Sequence, residues 1–270
     1  MPELPEVETV VRGIRPLLQG RTITAVHVRH KPSVSGSPKP LSFLKGRKVT
    51  AVYRRGKFIR IGLERSASMA VHLRMTGWLG VAKKIPDDAY LRVVFDLDNG
   101  EHLLFRDIRT FGRVWCGEET QIANLKALSK LGPEPLEIGA DAFVERLQSR
   151  GGRLKALLLN QEFLAGVGNI YADEALYAAR LHPLGKAARV KKDRALALHA
   201  AIQKILSESI RAGGSSVENF RNADGEEGWF QRELLAYGRE GEPCRRCKTA
   251  IKRIVIGQRG TWFCPKCQRR

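Results

Sequence analysis

Long hydrophobic runs are missing from this sequence. No apolar stretch approaches the roughly 18–20 residues of a membrane-spanning helix, so a helical membrane protein is excluded. The N-terminus has no basic region leading into an apolar segment, and no secretory signal is expected. Cysteine is scarce, with five in 270 residues, and four of them sit close together near the C-terminus. Disulfides are uncommon in cytosolic chains, so this cluster reads as metal ligands. Acidic residues are in deficit, 28 Asp and Glu against 47 Lys and Arg, for a formal charge of +19. Such an excess favours a polyanionic partner, nucleic acid ahead of an anionic membrane surface. At 43% hydrophobic, the chain can still build the cores of one large domain or two ordinary ones.

The spacing of Val7, Val10, Val11, Ile14, Leu17 and Leu18 predicts an amphipathic helix over residues 6–18, ending near Gly20. A strand-rich region follows. Residues 22–29 and 47–53 are rich in β-branched side chains and flank a Pro/Ser/Gly loop at 31–40. Alternation at Ile59, Ile61 and Leu63, and runs at 70–75 and 91–97, predict further strands. Asp98-Asn99-Gly100 turns the last of these into a partner at 102–106. Short strands closed by turns argue for a β-sandwich or barrel with the first helix packed on it. From Ile122 the period becomes helical, and Leu131-Gly132-Pro133-Glu134-Pro135 is a linker signal. Helices are predicted at 141–149, 154–160, 170–180 and 191–212, and a glycine-rich, polar loop at 213–228.

Cys244-x2-Cys247, sixteen residues, then Cys264-x2-Cys267 has the spacing of a four-thiolate zinc site closing a β-hairpin. The hairpin strands are placed at 254–256 and 261–263, with Gly257-Gln258-Arg259-Gly260 as the tip. Four thiolates leave no open coordination position, so this zinc is structural. Residues 239–270 carry ten Lys and Arg against two Glu, which turns positive charge toward phosphates. Cys116, outside the cluster, is expected to be a buried structural thiol. Gly166-Val167-Gly168-Asn169 precedes a helix, where amides can meet an anion, although a tight turn without ligand gives the same pattern. No βαβ pattern precedes it, so a helix–turn–helix gripping DNA backbone is preferred to a dinucleotide fold.

At the start, Pro2 is followed by Glu3, Glu6 and Glu8. Removal of Met1 would expose a secondary amine able to attack a sugar C1′, with carboxylates near to move protons. The alternative is an ordinary helix start, which proline and acidic residues also favour. Arg54-Arg55-Gly56-Lys57 is a cation cluster before a strand. Met75 and residues 107–112 offer an apolar side chain, a cation and an aromatic ring, the components of a wedge that fills a duplex when a base is extruded. Core packing of Met75 and Phe111 is the competing reading.

Taken together, PELPEVET at 2–9, RRGK at 54–57, HLRMTG at 72–77, DIRTFG at 107–112, GVGNIYADE at 166–174, YGREGEPC at 237–244 and the four cysteines resemble the formamidopyrimidine-DNA glycosylase family. The resemblance runs nearly end to end. It implies an α+β chain with an N-terminal β-sandwich carrying the terminal helix at 1–131. A helical helix–two-turn–helix domain at 132–238 and a zinc-finger β-hairpin at 239–270 would follow. The implied activity is a bifunctional glycosylase and AP lyase of base excision repair, removing 8-oxoguanine and formamidopyrimidines through a proline Schiff base and β,δ-elimination.

Residue by residue, the resemblance makes Pro2 the nucleophile, Glu3 the general acid/base and Glu6 a second active-site carboxylate. Lys57 contacts phosphate and assists elimination. Met75, Arg109 and Phe111 fill the duplex and meet the orphaned cytosine. His72, Asn169 and Arg259 bind phosphate, Arg259 also serving the second elimination. Residues 215–225 cover the everted base. Tyr90 stands where some members carry a DNA-contacting histidine. Gly151 replaces a lysine of others, leaving Arg150, Arg153 and Lys155 as DNA-binding candidates there. The sister endonuclease VIII family usually opens Pro-Glu-Gly-Pro-Glu and lacks the Arg/Phe wedge, so Leu4 and Phe111 favour the purine enzyme. The implied partner is damaged double-stranded DNA, bound by a monomer with one structural Zn2+, in the bacterial cytoplasm at the nucleoid.

Overall fold

The fold is seen in a computed structural model that describes residues 1–217 and 220–270; Glu218 and Asn219 of the expected covering loop lie outside the described residues. The chain forms two compact units, Met1–Lys130 with Ala212–Trp229, and Leu131–Arg211 with Phe230–Arg270.

The first unit begins with helix α1, Leu4–Leu18. Pro5 lies in its first turn, where a missing N–H costs nothing, and Glu3 and Glu6 close a capping box ahead of it. Val7, Val10, Val11 and Ile14 are fully buried, the apolar stripe anticipated from their spacing. Each contributes about 1.5–3 kcal/mol by leaving water, which fixes the terminal residues against a core.

That core lies between eight antiparallel strands: β1 Thr22–Val28, β2 Arg47–Arg55, β3 Phe58–Leu63, β4 Ala67–His72, β5 Gly77–Ala82, β6 Leu91–Leu97, β7 His102–Asp107 and β8 Arg113–Glu118. Their order is β5-β7-β6-β1-β2-β3-β4-β8. β1 and β2 pair only at Thr22–Lys48 and Ile23–Arg47, so the sheet folds there into two four-stranded halves. Ile23, Phe95 and Phe105 from one half share a cluster with Ile59, Val71 and Val114 from the other and with α1. This is the expected sandwich.

Three local expectations are corrected. β4 runs over Ala67–His72 instead of 70–75, which leaves Met75 in a turn. β5 and β8 were not anticipated. The helix read near Ile122 is two short ones, α2 Glu119–Ala123 and α3 Lys126–Ser129. Cys116 is fully buried on β8, its thiol facing the Lys39 and Pro40 carbonyls at 3.4 and 3.3 Å, and burial pushes it up to about 11.

The segment Ala212–Trp229 packs on this unit. Phe220 and Ala223 enter its core, and Trp78 Nε1–H donates to the Asn222 carbonyl at 2.7 Å.

The second unit holds helices α4 Ala140–Gln148, α5 Leu154–Leu159, α6 Asn169–Ala178 and α7 Lys192–Arg211, each within two residues of expectation. Strands β9 Lys252–Ile256 and β10 Arg259–Phe263 form the hairpin. Its two-residue turn, Gly257-Gln258, has both φ angles positive (55° and 62°), the geometry of a type I′ turn. No helix among the described residues is long and apolar enough to cross a membrane.

Candidate active site and nucleic-acid interface

In the first unit the terminal residues are held from several directions. Pro2 is buried, and Glu3 and Glu6 are 3% and 2% exposed at the positive end of α1. One Glu6 carboxylate oxygen accepts the Glu3 N–H at 2.8 Å and the other accepts the Ser215 N–H at 2.8 Å. Glu6 thus ties the helix start to the 212–229 segment. Gly214, at φ +84°, must be glycine for this approach, because a Cβ would stand 3.2 Å from the Glu6 Cγ and Oε1.

Lys57 sits at the tight β2–β3 turn and is 5% exposed. His72 pairs with Phe58 across β3 and β4, its ring edge-on to that phenyl at 4.6 Å. Burial, then the charges of Arg74 and Lys57, bring the imidazole down to about 3. Its Nδ1 lies 3.0 Å from the Arg74 N–H and accepts from it, so the ring proton sits on Nε2. His72 is therefore a neutral donor, able to hold a phosphate oxygen without adding charge.

Met75 and the 107–112 loop are neighbours through a residue pair that the sequence reading passed over. Fully buried Asp107 accepts the Thr76 hydroxyl at 2.5 Å and the Gly112 N–H at 2.7 Å. The Thr76 hydroxyl oxygen in turn accepts the Arg109 N–H at 3.0 Å. This braces the loop from which Arg109 and Phe111 project. The Arg109 guanidinium lies 4.9 Å from the Phe111 ring centre, and Phe111 is 50% exposed. A large aromatic held half in water off a rigid loop suits insertion between bases better than core packing. An aspartate inside DIRTFG, with a threonine inside HLRMTG, was the available signal. Tyr90 is exposed, with the Arg92 and Arg106 guanidinium groups 5.7 and 5.5 Å from its ring centre.

In the second unit, α6 organises the finger. Asn169 in its first turn donates from Nδ2 to the Gly260 carbonyl at 3.0 Å, beside exposed Arg259. Asp173 accepts the Trp262 N–H at 3.2 Å, and Glu174 accepts the N–H groups of Leu235, Ala236 and Tyr237 at 2.8–2.9 Å. Burial pushes Asp173 up to about 7 against the pull of Lys155.

Lys155 is the residue whose expected place the structure changes. It is fully buried, ion-paired to Asp173 at 2.6 Å, and donates to the Asn169 carbonyl at 3.0 Å. It steadies the first turn of α6 and does not itself face a phosphate. Arg150 and Arg153 are exposed. A Cβ at Gly151 would meet nothing within 4 Å, so no steric reason excludes a side chain there.

The four Sγ atoms of Cys244, Cys247, Cys264 and Cys267 lie within 4.8 Å of one another. Tetrahedral zinc with 2.3 Å bonds separates its sulfurs by about 3.8 Å. The Cys244–Cys267 and Cys247–Cys264 separations are 3.9 and 3.4 Å, so the thiolates are already disposed for one soft tetrahedral cation.

Three family models match in succession: the formamidopyrimidine-DNA glycosylase N-terminal domain over residues 1–114, that family's H2TH domain over 131–221, and the zinc finger found in FPG and IleRS over 241–270. The formamidopyrimidine-DNA glycosylase of Chloroflexus aurantiacus is 45% identical over 99% of this chain and 98% of its own. That of Bacillus subtilis is 41% identical over 99% of each. Among solved structures, the MutM (Fpg) protein of Thermus thermophilus superposes with a TM-score of 0.90 at 39% identity, covering 99% of this chain and 98% of its own. Lactococcus lactis Fpg in complex with abasic-site DNA gives 0.91 at 32% identity, over 99% of this chain and all of its own. Fold, motif geometry and full-length similarity agree, and the chain belongs to the formamidopyrimidine-DNA glycosylase family.

Proposed function

We propose that this protein excises oxidised purines, 8-oxoguanine and formamidopyrimidines, from duplex DNA and then cuts the strand at the resulting abasic site. The observation that carries the reading is the N-terminus. Pro2 is buried directly ahead of two buried carboxylates at the positive end of a well-anchored helix. Relatives over the full length are glycosylases by name, and Lactococcus lactis Fpg has been crystallised with Fapy-dG DNA and with abasic-site DNA.

With Met1 removed, Pro2 becomes a secondary amine. Its nitrogen attacks C1′, the glycosidic bond breaks with its electrons leaving on the base, and the amine proton passes to Glu3. Opening of the sugar ring gives a C1′ iminium, with O4′ taking a proton from Glu3. That cation acidifies the adjacent C–H, and successive eliminations release the 3′ and then the 5′ phosphate. Lys57 and His72 hold phosphate in the first unit; Asn169 and Arg259 do so in the second. Met75, Arg109 and Phe111 fill the gap left by the flipped base, Tyr90, Arg150 and Arg153 add DNA contacts, and Glu6 holds the covering segment. The four thiolates bind one Zn2+, which cross-links the finger and leaves its +2 charge to offset theirs. The reading extends to the divisions 1–131, 132–238 and 239–270, with Ala212–Trp229 of the second belonging to the first unit, and to a monomer acting in the bacterial cytoplasm at the nucleoid.

The test is cleavage of a duplex panel bearing 8-oxoguanine, formamidopyrimidine, thymine glycol or an abasic site. Cutting at the two purine lesions and the abasic site, with thymine glycol slow, is expected. Tight binding to all four without cleavage would replace the enzyme by a damage-binding module.

A further inference from the structure

Within the second unit, beyond the C-terminal end of α6, lies a cavity of about 400 Å3, whose wall starts at Leu154 and whose Lys186 pairs with Arg153, so that it adjoins the proposed Arg150 and Arg153 contacts. Asn169 is at the opposite end of that ten-residue helix, about 15 Å away at 1.5 Å per residue. Leu154, Leu181, Leu184 and Val190 supply apolar lining, and six cations surround them: Lys186, Arg189, Lys191, Arg194, Arg269 and Arg270. No Asp or Glu lines it among the described residues.

The arrangement is built, not a chance meeting of flexible side chains. Arg194 is fixed by donating to the Ala179 and Arg180 carbonyls at 2.6 and 2.8 Å. The 181–185 turn is pinned by Gln268 Nε2 to the Leu181 carbonyl at 2.9 Å and by His182 edge-on to Phe263 at 4.8 Å. Burial and the Arg270 charge hold the His182 imidazole below its ordinary value, in keeping with the positive field.

Two properties select the occupant. The cations call for several negative charges spread over the rim, and the apolar floor calls for a side chain that can be buried. Phosphate backbone satisfies the first alone. A nucleotide base needs a ring or guanidinium face to stack on; the one lining ring, His182, packs edge-on to Phe263, and Arg194 is tied to two carbonyls, so the floor offered is aliphatic. We infer that the cavity docks an acidic segment of a partner protein, anchored by one or two apolar side chains among several carboxylates. Charge steers such a segment in, and the anchor gives it specificity.

The test uses the full-length protein and a fluorescein-labelled ten-residue peptide with four aspartates ahead of a Leu-Phe end, read by anisotropy. Binding is expected to weaken at least ten-fold when Leu-Phe is replaced by Ser-Ser. An equal loss is expected in the R189A/K191A double variant, whose substitutions are exposed and leave duplex affinity and excision unchanged. A second variant, Leu184→Ser, should lose peptide binding with the cations intact. Equal binding of the Ser-Ser peptide would reduce the cavity to a non-specific charge patch and overturn the inference. Loss of duplex affinity in R189A/K191A, or displacement of the peptide by a deoxyguanosine monophosphate competitor at equal concentration, would overturn it in favour of nucleic acid or nucleotide.

Discussion

Protonation of His72 should unfasten the first unit. The imidazole is buried at the end of β4 against Phe58 of β3, accepts the Arg74 N–H, and is held at about 3 against an ordinary 6.5. Its folded-state value lies below its unfolded one, so the stabilisation is complete above about pH 6.5 and is lost as pH falls toward 3. From pH 7 to 4.5, the difference in proton binding costs about 2.5 kcal/mol, at 1.36 kcal/mol per pKa unit. His72→Asn keeps an acceptor near Nδ1 but cannot titrate. Amide hydrogen exchange of β3 and β4 reads this unit alone. Between those pH values the wild type should lose about 2.5 kcal/mol more than His72→Asn, and the His72 ring resonances should stay neutral down to about pH 4. Parallel pH dependence in the two proteins would refute the assignment. The same neutrality bears on DNA binding: replacing His72 should barely alter the slope of log K against log salt, since no charge is lost.

Two further outcomes follow from the wedge and the finger. Phe111→Ala should lower excision of 8-oxoguanine from duplex about ten-fold or more while sparing abasic-site cleavage, because unstacking costs a few kcal/mol only when a base must leave. Asp107→Ala should reproduce that split and also destabilise the first unit by about 3 kcal/mol, since the Thr76 hydroxyl and Gly112 N–H lose a buried acceptor. Equal losses on both substrates would mark Phe111 as packing alone. Cys247→Ser should release the metal and sharply weaken duplex binding while the first unit keeps its melting behaviour; metal analysis with affinity measurement checks this, zinc-finger metal sites being worth about 10–16 kcal/mol of folding free energy.

Some of this architecture was legible because burial there has a period. The α1 stripe and helices α4 and α7 of the second unit each bury one face, and the hairpin turn needs glycine at positive φ. Strand β4 resisted because all six of its residues are buried, so alternation could not set its ends. β5 carries two glycines, and β8 mixes Arg, Trp and Cys; both are strands because β7 and β4 supply partners, a non-local fact. Lys155 was misplaced for a related reason. A sequence counts a cation but not its surroundings, and only the fold reveals Asp173 beside it in an apolar layer. The Asp107–Thr76 brace spans 31 residues and joins two motifs that could be read only one at a time.

The measurement that meets the central claim most directly is borohydride trapping on 8-oxoguanine duplex, using protein shown by intact mass to begin at Pro2. The amine reference pKa of about 7.7–8 leaves an unprotonated fraction near neutrality, so an iminium can form and be reduced. A covalent protein–DNA adduct is predicted, with peptide mapping placing the DNA on Pro2. Blocking the N-terminus should abolish it, and Glu3→Gln should suppress trapping on 8-oxoguanine more than on an abasic site. An adduct mapped to Lys57 or another lysine, or no adduct with any lesion, would contradict the account.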